Sequence, residues 1–263
     1  RPEHDHHSDD SVSVISNVQR ALDNGEFEAY LQPVVDSVSG KALSVEALVR
    51  WVHPEQGFIP PSLFLQQIEY LPVGRRFSLH MLDLSIAALA SLENCEIGLS
   101  VNFSARDVED PNLPLAVQAL LEHHEVAPKR LTLEVPESVG VNGSARRVLV
   151  RLADLGCGIA IDDFGGSAVP MEFFALVNVT EVKIASRFTS LAADDSVARS
   201  VIRLAVGLCG AAGIATTAKG VERQNVLDSV VELGCTAAQG FHIAHPMPPV
   251  EVASWLKNER VYV

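Results

Sequence analysis

The feature that most constrains this chain is an alternation. From residue 14 onward, apolar runs of four to eight residues take turns with longer segments of helical periodicity, the pattern of parallel strands joined by crossover helices. Strands are expected at 28–34, 43–51, 97–103 (entered from Glu96), 130–135, 158–163, 179–184, 213–218 and 235–241. Helices are expected at 62–71, 77–93, 112–124, 144–155, 193–210, 223–233 and 249–257. Eight strands in 263 residues that are 48% hydrophobic suit one closed α/β barrel better than two ordinary domains. An open doubly wound sheet is the alternative, but it would call for a Gly-rich first turn that this chain lacks. The expected fold is therefore a TIM-type (β/α)8 barrel.

In that fold the strand carboxyl ends converge on one mouth, where active sites are built. Polar residues fall at those ends: Glu46 in the second strand, Asn102 ending the third, Glu134 the fourth, Asp162 and Asp163 the fifth, Lys183 the sixth, Lys219 after the seventh and Gln239 in the eighth. Several carboxylates in one pocket repel one another unless a cation joins them. All-oxygen donors from Glu, Asp and Asn suit a hard ion such as Mg²⁺, Mn²⁺ or Ca²⁺ and argue against zinc or copper. Taken singly, each acid has a plainer reading: Glu46 or Glu134 as a salt-bridged acid, Asp162–Asp163 as a turn. Their convergence on one barrel end favours function.

Composition narrows the partners. A formal charge of −13 repels polymeric nucleic acid and anionic membranes, so a phosphate-bearing ligand must be held by local cations or by metal ions. Cys95, Cys157, Cys209 and Cys235 lack zinc-site spacing and read as buried thiols of a reducing compartment. No apolar run is long enough to span a bilayer, and a cytoplasmic domain is expected, compatible with a membrane-anchored full-length protein. Residues 1–13, with His4, His6 and His7, are expected to be a polar leader or linker belonging to a longer protein.

An ordered series of motifs runs through the chain: YLQPVVD at 30–36, VEALVRW at 45–51, GFIPPSLFLQQIE at 57–69, VNFSA at 101–105, LEVPES at 133–138, IDDFGG at 161–166, VKI at 182–184, KGVE at 219–222, and QGF with a following Pro over 239–246. Together they resemble the EAL domains that hydrolyse bacterial cyclic di-GMP, and the resemblance covers about residues 15–257, within a domain taken as 14–263. The resemblance implies that Glu46, Asn102, Glu134 and Asp162 hold a first metal, Mg²⁺ or Mn²⁺. It places Asp163 beside a second metal, Lys183 near the attacking water, and Gln32, Glu46, Leu48, Arg50, Asn102 and Gln239 around the ligand, with the forked donors of Arg50 on a phosphate. The implied chemistry is metal-assisted opening of one phosphodiester bond to give linear pGpG.

Three departures gather on the second-metal side. Family members typically read Ala-Glu-Gly-Val-Glu where this chain reads Ala218-Lys219-Gly220-Val221-Glu222, which exchanges a metal-binding or basic carboxylate for an ammonium. Lys183-Ile184-Ala185 stands where Lys-Ile-Asp is usual, and Phe164-Gly165-Gly166-Ser167-Ala168-Val169-Pro170 replaces Phe-Gly-Thr-Gly-Tyr-Ser-Ser. Loss of a positioned general base commonly costs about 10²–10⁴-fold in rate, and a cation about 4 Å from a divalent ion adds repulsion on the order of kcal/mol. The expectation is a degenerate EAL domain that binds cyclic di-GMP with little or no turnover, its second-metal site lost and Lys219 turned toward Asp162 and Asp163. The alternatives are a phosphodiesterase, slow or rescued by a neighbouring acid such as Glu222, and a protein-interaction module without nucleotide binding. A sensor or GGDEF-type domain is expected as neighbour in the full-length protein, and a homodimer as the assembly.

Overall fold

The computed structural model describes residues 17–92, 96–139, 143–166, 173–174 and 177–258. Nine strands are found among them: β1 (Phe27–Asp36), β2 (Ala42–His53), β3 (Gly57–Ile59), β4 (Gly98–Asn102), β5 (Leu131–Pro136), β6 (Gly158–Phe164), β7 (Glu181–Ile184), β8 (Ala215–Ala218) and β9 (Ala237–Ala238). They are ordered β1-β9-β8-β7-β6-β5-β4-β2-β3, and the β1–β2 pairing closes eight of them into a barrel. Helices Gly74–Ser91, Leu113–His123, Gly143–Asp154, Ser196–Ala212, Gln224–Glu232 and Pro249–Lys257 lie on its outside. The fold is the TIM-type (β/α)8 barrel that the alternation predicts, and all eight expected strands are present.

One expectation fails. The strands are not uniformly parallel, because β1 runs antiparallel to both its neighbours, β2 and β9. The reason is the connection: five residues, 37–41, join β1 to β2, whereas a parallel crossover takes a dozen or more. The turn is local chemistry. The Asp36 carboxylate accepts from the backbone N–H groups of Val38 and Ser39 at 3.2 and 2.7 Å, and Gly40 takes the left-handed φ of 70°. Reversing β1 brings its amino-terminal end, paired Phe27 to Trp51, to the same end of the barrel as the mouth.

Smaller differences have equally local causes. The expected helix 62–71 splits into a 3-10 turn Pro61–Leu63 and a short helix Leu65–Glu69, with prolines at 60, 61 and 72 around it. The next helix starts at Gly74, where a Cβ would lie 2.7 Å from the Ile68 carbonyl oxygen, so only glycine admits that approach. β3 adds a hairpin strand to β2, and a helix over 17–24 precedes β1. Helix Ser196–Ala212 is closed by Asp195, whose side chain accepts from the Ala198 N–H at 2.8 Å, and by Gly213 at φ 70°.

The main apolar cluster fills the layer between strands and helices, as in Leu99, Leu131, Leu133, Ile159, Leu82, Leu89, Leu149 and Leu152. A second holds helix Ser196–Ala212 against β7 and β8, and a third seats the helix over 17–24 on Phe27, Trp51, Phe64, Ile68 and Phe77. Cys157, Cys209 and Cys235 are buried free thiols, and burial pushes the Cys157 thiol up to about 11. Cys95, the leader 1–13 and loop residues 167–170 lie outside the described residues. Among the described residues no helix is long and apolar enough to cross a membrane.

Candidate functional site

The carboxyl ends of the strands gather the polar residues into two connected groups. The inner group centres on Lys183, fully buried at 0% exposure. Its ammonium donates to Glu46 Oε2 at 3.1 Å and to Glu134 Oε1. Glu46 also accepts from Asn102 Nδ2 at 2.9 Å and from Gln239 Nε2 at 2.8 Å. The Gln239 amide donates in addition to Gln32 Oε1 at 3.1 Å, and Gln32 in turn donates to the Ala244 carbonyl at 3.0 Å. Six sequence-predicted residues, Gln32, Glu46, Asn102, Glu134, Lys183 and Gln239, thus meet in one network drawn from six strands or strand ends.

Register explains the convergence. Glu46 pairs with Ser100 across β2 and β4, while Asn102 pairs with Glu134 across β4 and β5. The stagger of a barrel lets side chains of successive strands share one inward layer.

The outer group is built on Lys219. Its ammonium donates to both oxygens of Asp162, at 2.6 and 2.8 Å, and lies 3.6 Å from Asp163 Oδ1. Asp163 sits at a positive φ of 53° with its side chain 69% exposed, an unusual conformation for a non-glycine residue. The adjoining loop is tied down by Glu137, which accepts from the N–H groups of Gly165 and Gly166 at 3.2 and 2.8 Å. Arg187 packs its guanidinium near Gly166 and 5.1 Å from the Phe188 ring.

Burial and charge set the protonation pattern. Burial alone would raise the Glu46 carboxyl, but Lys183, Lys219 and the amides of Asn102 and Gln239 together hold it down at about 2. Glu134 moves the opposite way, to about 8, because burial and the charge of Glu46 outweigh Lys183. One ammonium cannot neutralise two carboxylates, and Glu46 holds the extra donors while Glu134 Oε2 is buried without a partner among the described residues. Burial likewise raises Asp162, with Lys219 opposing it. Burial would lower both lysines, yet the surrounding carboxylates raise them, so both are cations.

A cavity of about 540 Å³ opens beside these groups. Asn102, Glu134, Asp162 and Asp163 line its polar end, and Leu65, Ile68, Leu71, Phe77 and Leu113 its apolar end. This size is within the usual range for small-molecule sites. Other expected site residues lie apart from that cavity. The Arg50 guanidinium rests 5.3 Å from the Tyr30 ring and 5.7 Å from that of Phe58, donating to the Val49 carbonyl. Leu48 is half-buried on β2, and Glu222 is exposed beyond β8. Motif reading quoted Glu137 and the 57–69 segment without giving them a role; the Gly165–Gly166 pair, needing an acceptor for two free N–H groups, was the available signal for Glu137.

The donor chemistry of Glu46, Asn102, Glu134 and Asp162 suits a hard cation, but these oxygens are largely committed. Both Asp162 oxygens face Lys219, both Glu46 oxygens face donors, and Glu134 keeps one buried oxygen without a donor among the described residues. Among the described residues no three His, Cys, Asp or Glu side chains are arranged around a common ion position. Glu134 Oε2, buried and without a hydrogen-bond partner among the described residues, is the inner carboxylate oxygen left over, and the Asp162–Asp163 side is taken up by Lys219.

A barrel mouth with this motif order defines a class, and comparison with known proteins gives its family. The chain matches the EAL domain over residues 15–246, and it belongs to that family. It is 32% identical to cyclic di-GMP phosphodiesterase RocR of Pseudomonas aeruginosa over 238 residues, 89% of this chain and 61% of that protein. It is 31% identical to cyclic di-GMP phosphodiesterase PA2567 of the same species over 253 residues, 94% of this chain and 43% of that protein. The chain thus spans less than two thirds of the length of either relative. The structure of the PaMucR phosphodiesterase in its c-di-GMP complex superposes with a TM-score of 0.86 at 28% identity, covering 91% of this chain and 99% of that one.

Proposed function

We propose that this domain binds cyclic di-GMP at the barrel mouth and cuts it slowly or not at all, serving as a receptor module in bacterial signalling. The observation that carries this reading is the Lys219 ammonium seated on both oxygens of Asp162. Hydrolysis by such a mouth needs carboxylates free to receive metal and a basic group for water. Here an ammonium stands in that place, while the ligand-facing set Gln32, Glu46, Leu48, Arg50, Asn102 and Gln239 is retained. Arg50 is assigned to a phosphate and the apolar end of the cavity to a base.

Glu46, Asn102, Glu134 and Asp162 are the residues that would hold Mg²⁺ or Mn²⁺. A bound ion there would supply Lewis acidity and a more acidic water. The residues of the chain orient the ligand and exclude solvent. By the resemblance Asp163 would serve a second metal and Lys183 the attacking water, Lys219 stands where the family carries a glutamate, and Glu222 is the nearest replacement base in sequence. The phosphodiesterase names of both relatives favour metal-dependent hydrolysis of cyclic di-GMP to pGpG as the second reading. The folded unit is taken as 14–263, cytoplasmic, paired with a second copy and joined to a sensor or GGDEF-type domain.

Titration with cyclic di-GMP, followed by chromatography of the same sample for pGpG, tests the reading. Saturable binding with intact nucleotide is expected. Rapid pGpG formation overturns it in favour of an enzyme, and absence of binding in favour of a protein-interaction module.

A further inference from the structure

We infer that Lys219 is a tethered cation that occupies the position between Asp162 and Asp163 and thereby keeps a second divalent ion out of the mouth. Its ammonium holds both oxygens of Asp162 and approaches Asp163 to 3.6 Å. An ion entering between the two aspartates must either evict that nitrogen or sit against it, and like charges at such distances repel. The tether is short and fixed at its base. The Lys219 N–H donates to the Ile184 carbonyl at 3.3 Å, and on its other side the Val221 N–H donates to the Gln239 carbonyl at 2.9 Å. Withdrawal of the ammonium therefore requires the side chain to swing, since the backbone is held by two neighbouring strand ends.

The donor supply points the same way. A hard ion such as Mg²⁺ keeps several waters and takes as few as one or two carboxylates from the protein. On this side the described residues offer the oxygens of Asp162 and Asp163. Residue 185 is a buried alanine that adds no donor, and the next charged neighbour is Arg187, a second cation packed beside Gly166. The inner half differs, for Glu134 keeps one oxygen without a partner among the described residues. The count that follows is at most one ion per chain for the protein as it stands, and one more once the ammonium is removed.

The test is a metal stoichiometry, with no nucleotide present. The intact chain, stripped with chelator, is titrated with Mn²⁺ while free ion is followed by electron paramagnetic resonance, in parallel with Lys219→Met, Lys219→Gln and Lys219→Arg. The expected result is zero or one Mn²⁺ for wild type and Lys219→Arg. Lys219→Met and Lys219→Gln should each gain one further site, and Mn²⁺ should raise their thermal midpoints. Two sites in wild type overturn the inference, whatever the variants do. So does the absence of a gained site in neutral variants that fold. Because nucleotide is left out, failure here leaves the binding reading standing, and failure of that reading leaves this one standing.

Discussion

Two lysines at one barrel mouth solve the same electrostatic problem at different depths. Lys183 is fully enclosed and bridges Glu46 to Glu134, whereas Lys219 keeps its side chain 20% exposed and bridges Asp162 toward Asp163. The deeper lysine is part of the scaffold, because without it the buried Glu46 carboxylate loses the cation that holds it ionised. The shallower one is interchangeable in principle, since water reaches its partners and another cation can take its place. Burial, more than identity of the charge pair, separates a structural ammonium from one that tunes the site.

The largest expected effect breaks the comparison most directly. Lys183→Met leaves the buried Glu46 carboxylate without its main cation and should cost about 3–5 kcal/mol, the usual penalty for removing one partner of a buried pair. Lys219→Met should cost less, about 1.5–3 kcal/mol, the range for hydrogen bonds to charged groups. Urea denaturation of both variants at neutral pH measures the difference. Equal losses would show that depth does not distinguish the two.

Activity sharpens the same contrast. Lys219→Glu alone returns a carboxylate to the outer half, but Ala185 still supplies no acid. Its turnover of cyclic di-GMP under Mn²⁺ should stay about 100-fold below that of the double variant Lys219→Glu, Ala185→Asp, within the range expected for a missing basic or metal-holding group. Chromatographic pGpG yields decide it: a single variant as fast as the double would remove Ala185 from the explanation of the loss.

Much of this architecture was legible in the residues. The eight strands follow from apolar runs separated by helical spacing, and the charge inversion at Lys219 is visible in KGVE against the family pattern. The antiparallel β1 was less so, although only eight residues separate the two expected runs at 28–34 and 43–51, too few for a crossover helix. Which carboxylate carries the proton was not legible at all. Glu46 and Glu134 look alike as acids of neighbouring strands, and burial, unequal charged neighbours and unequal hydrogen-bond partners push one down and the other up. The helix over 17–24 was missed because its contacts, Phe64, Ile68 and Phe77 among them, are distant in sequence.

A smaller effect concerns how the two halves are held together. Gly240 follows Gln239 of the inner network, and a Cβ on it would lie 2.1 Å from the Val221 carbonyl oxygen, two residues past Lys219. Gly240→Ala should therefore force these segments apart and cost about 1–3 kcal/mol by overpacking, lowering nucleotide affinity together with stability. A stability loss with unchanged affinity would show that the inner and outer groups do not depend on this contact.

The smallest effect tests a carboxylate held without any lysine. Glu26, at the same end of the barrel, accepts from the Trp51 indole at 2.9 Å, from Asn24 at 3.3 Å and from Arg20 at 3.4 Å. Burial works to raise it, but the indole and amide donors, with Arg20 and His53, hold it below the ordinary carboxylate value. A carboxyl lowered in the folded state binds fewer protons there than in the unfolded chain. Its contribution is thus complete above the unfolded value of about 4.3 and is lost as pH falls through the folded one. Glu26→Gln should cost on the order of 1 kcal/mol at pH 7 through weakened hydrogen bonds, and the gap between wild type and variant should close as the solution is acidified below about pH 4. Denaturant midpoints measured from pH 7 downward give the sign: a gap that widens on acidification would mean that the indole, amide and guanidinium donors cannot do for Glu26 what the lysines do at the mouth.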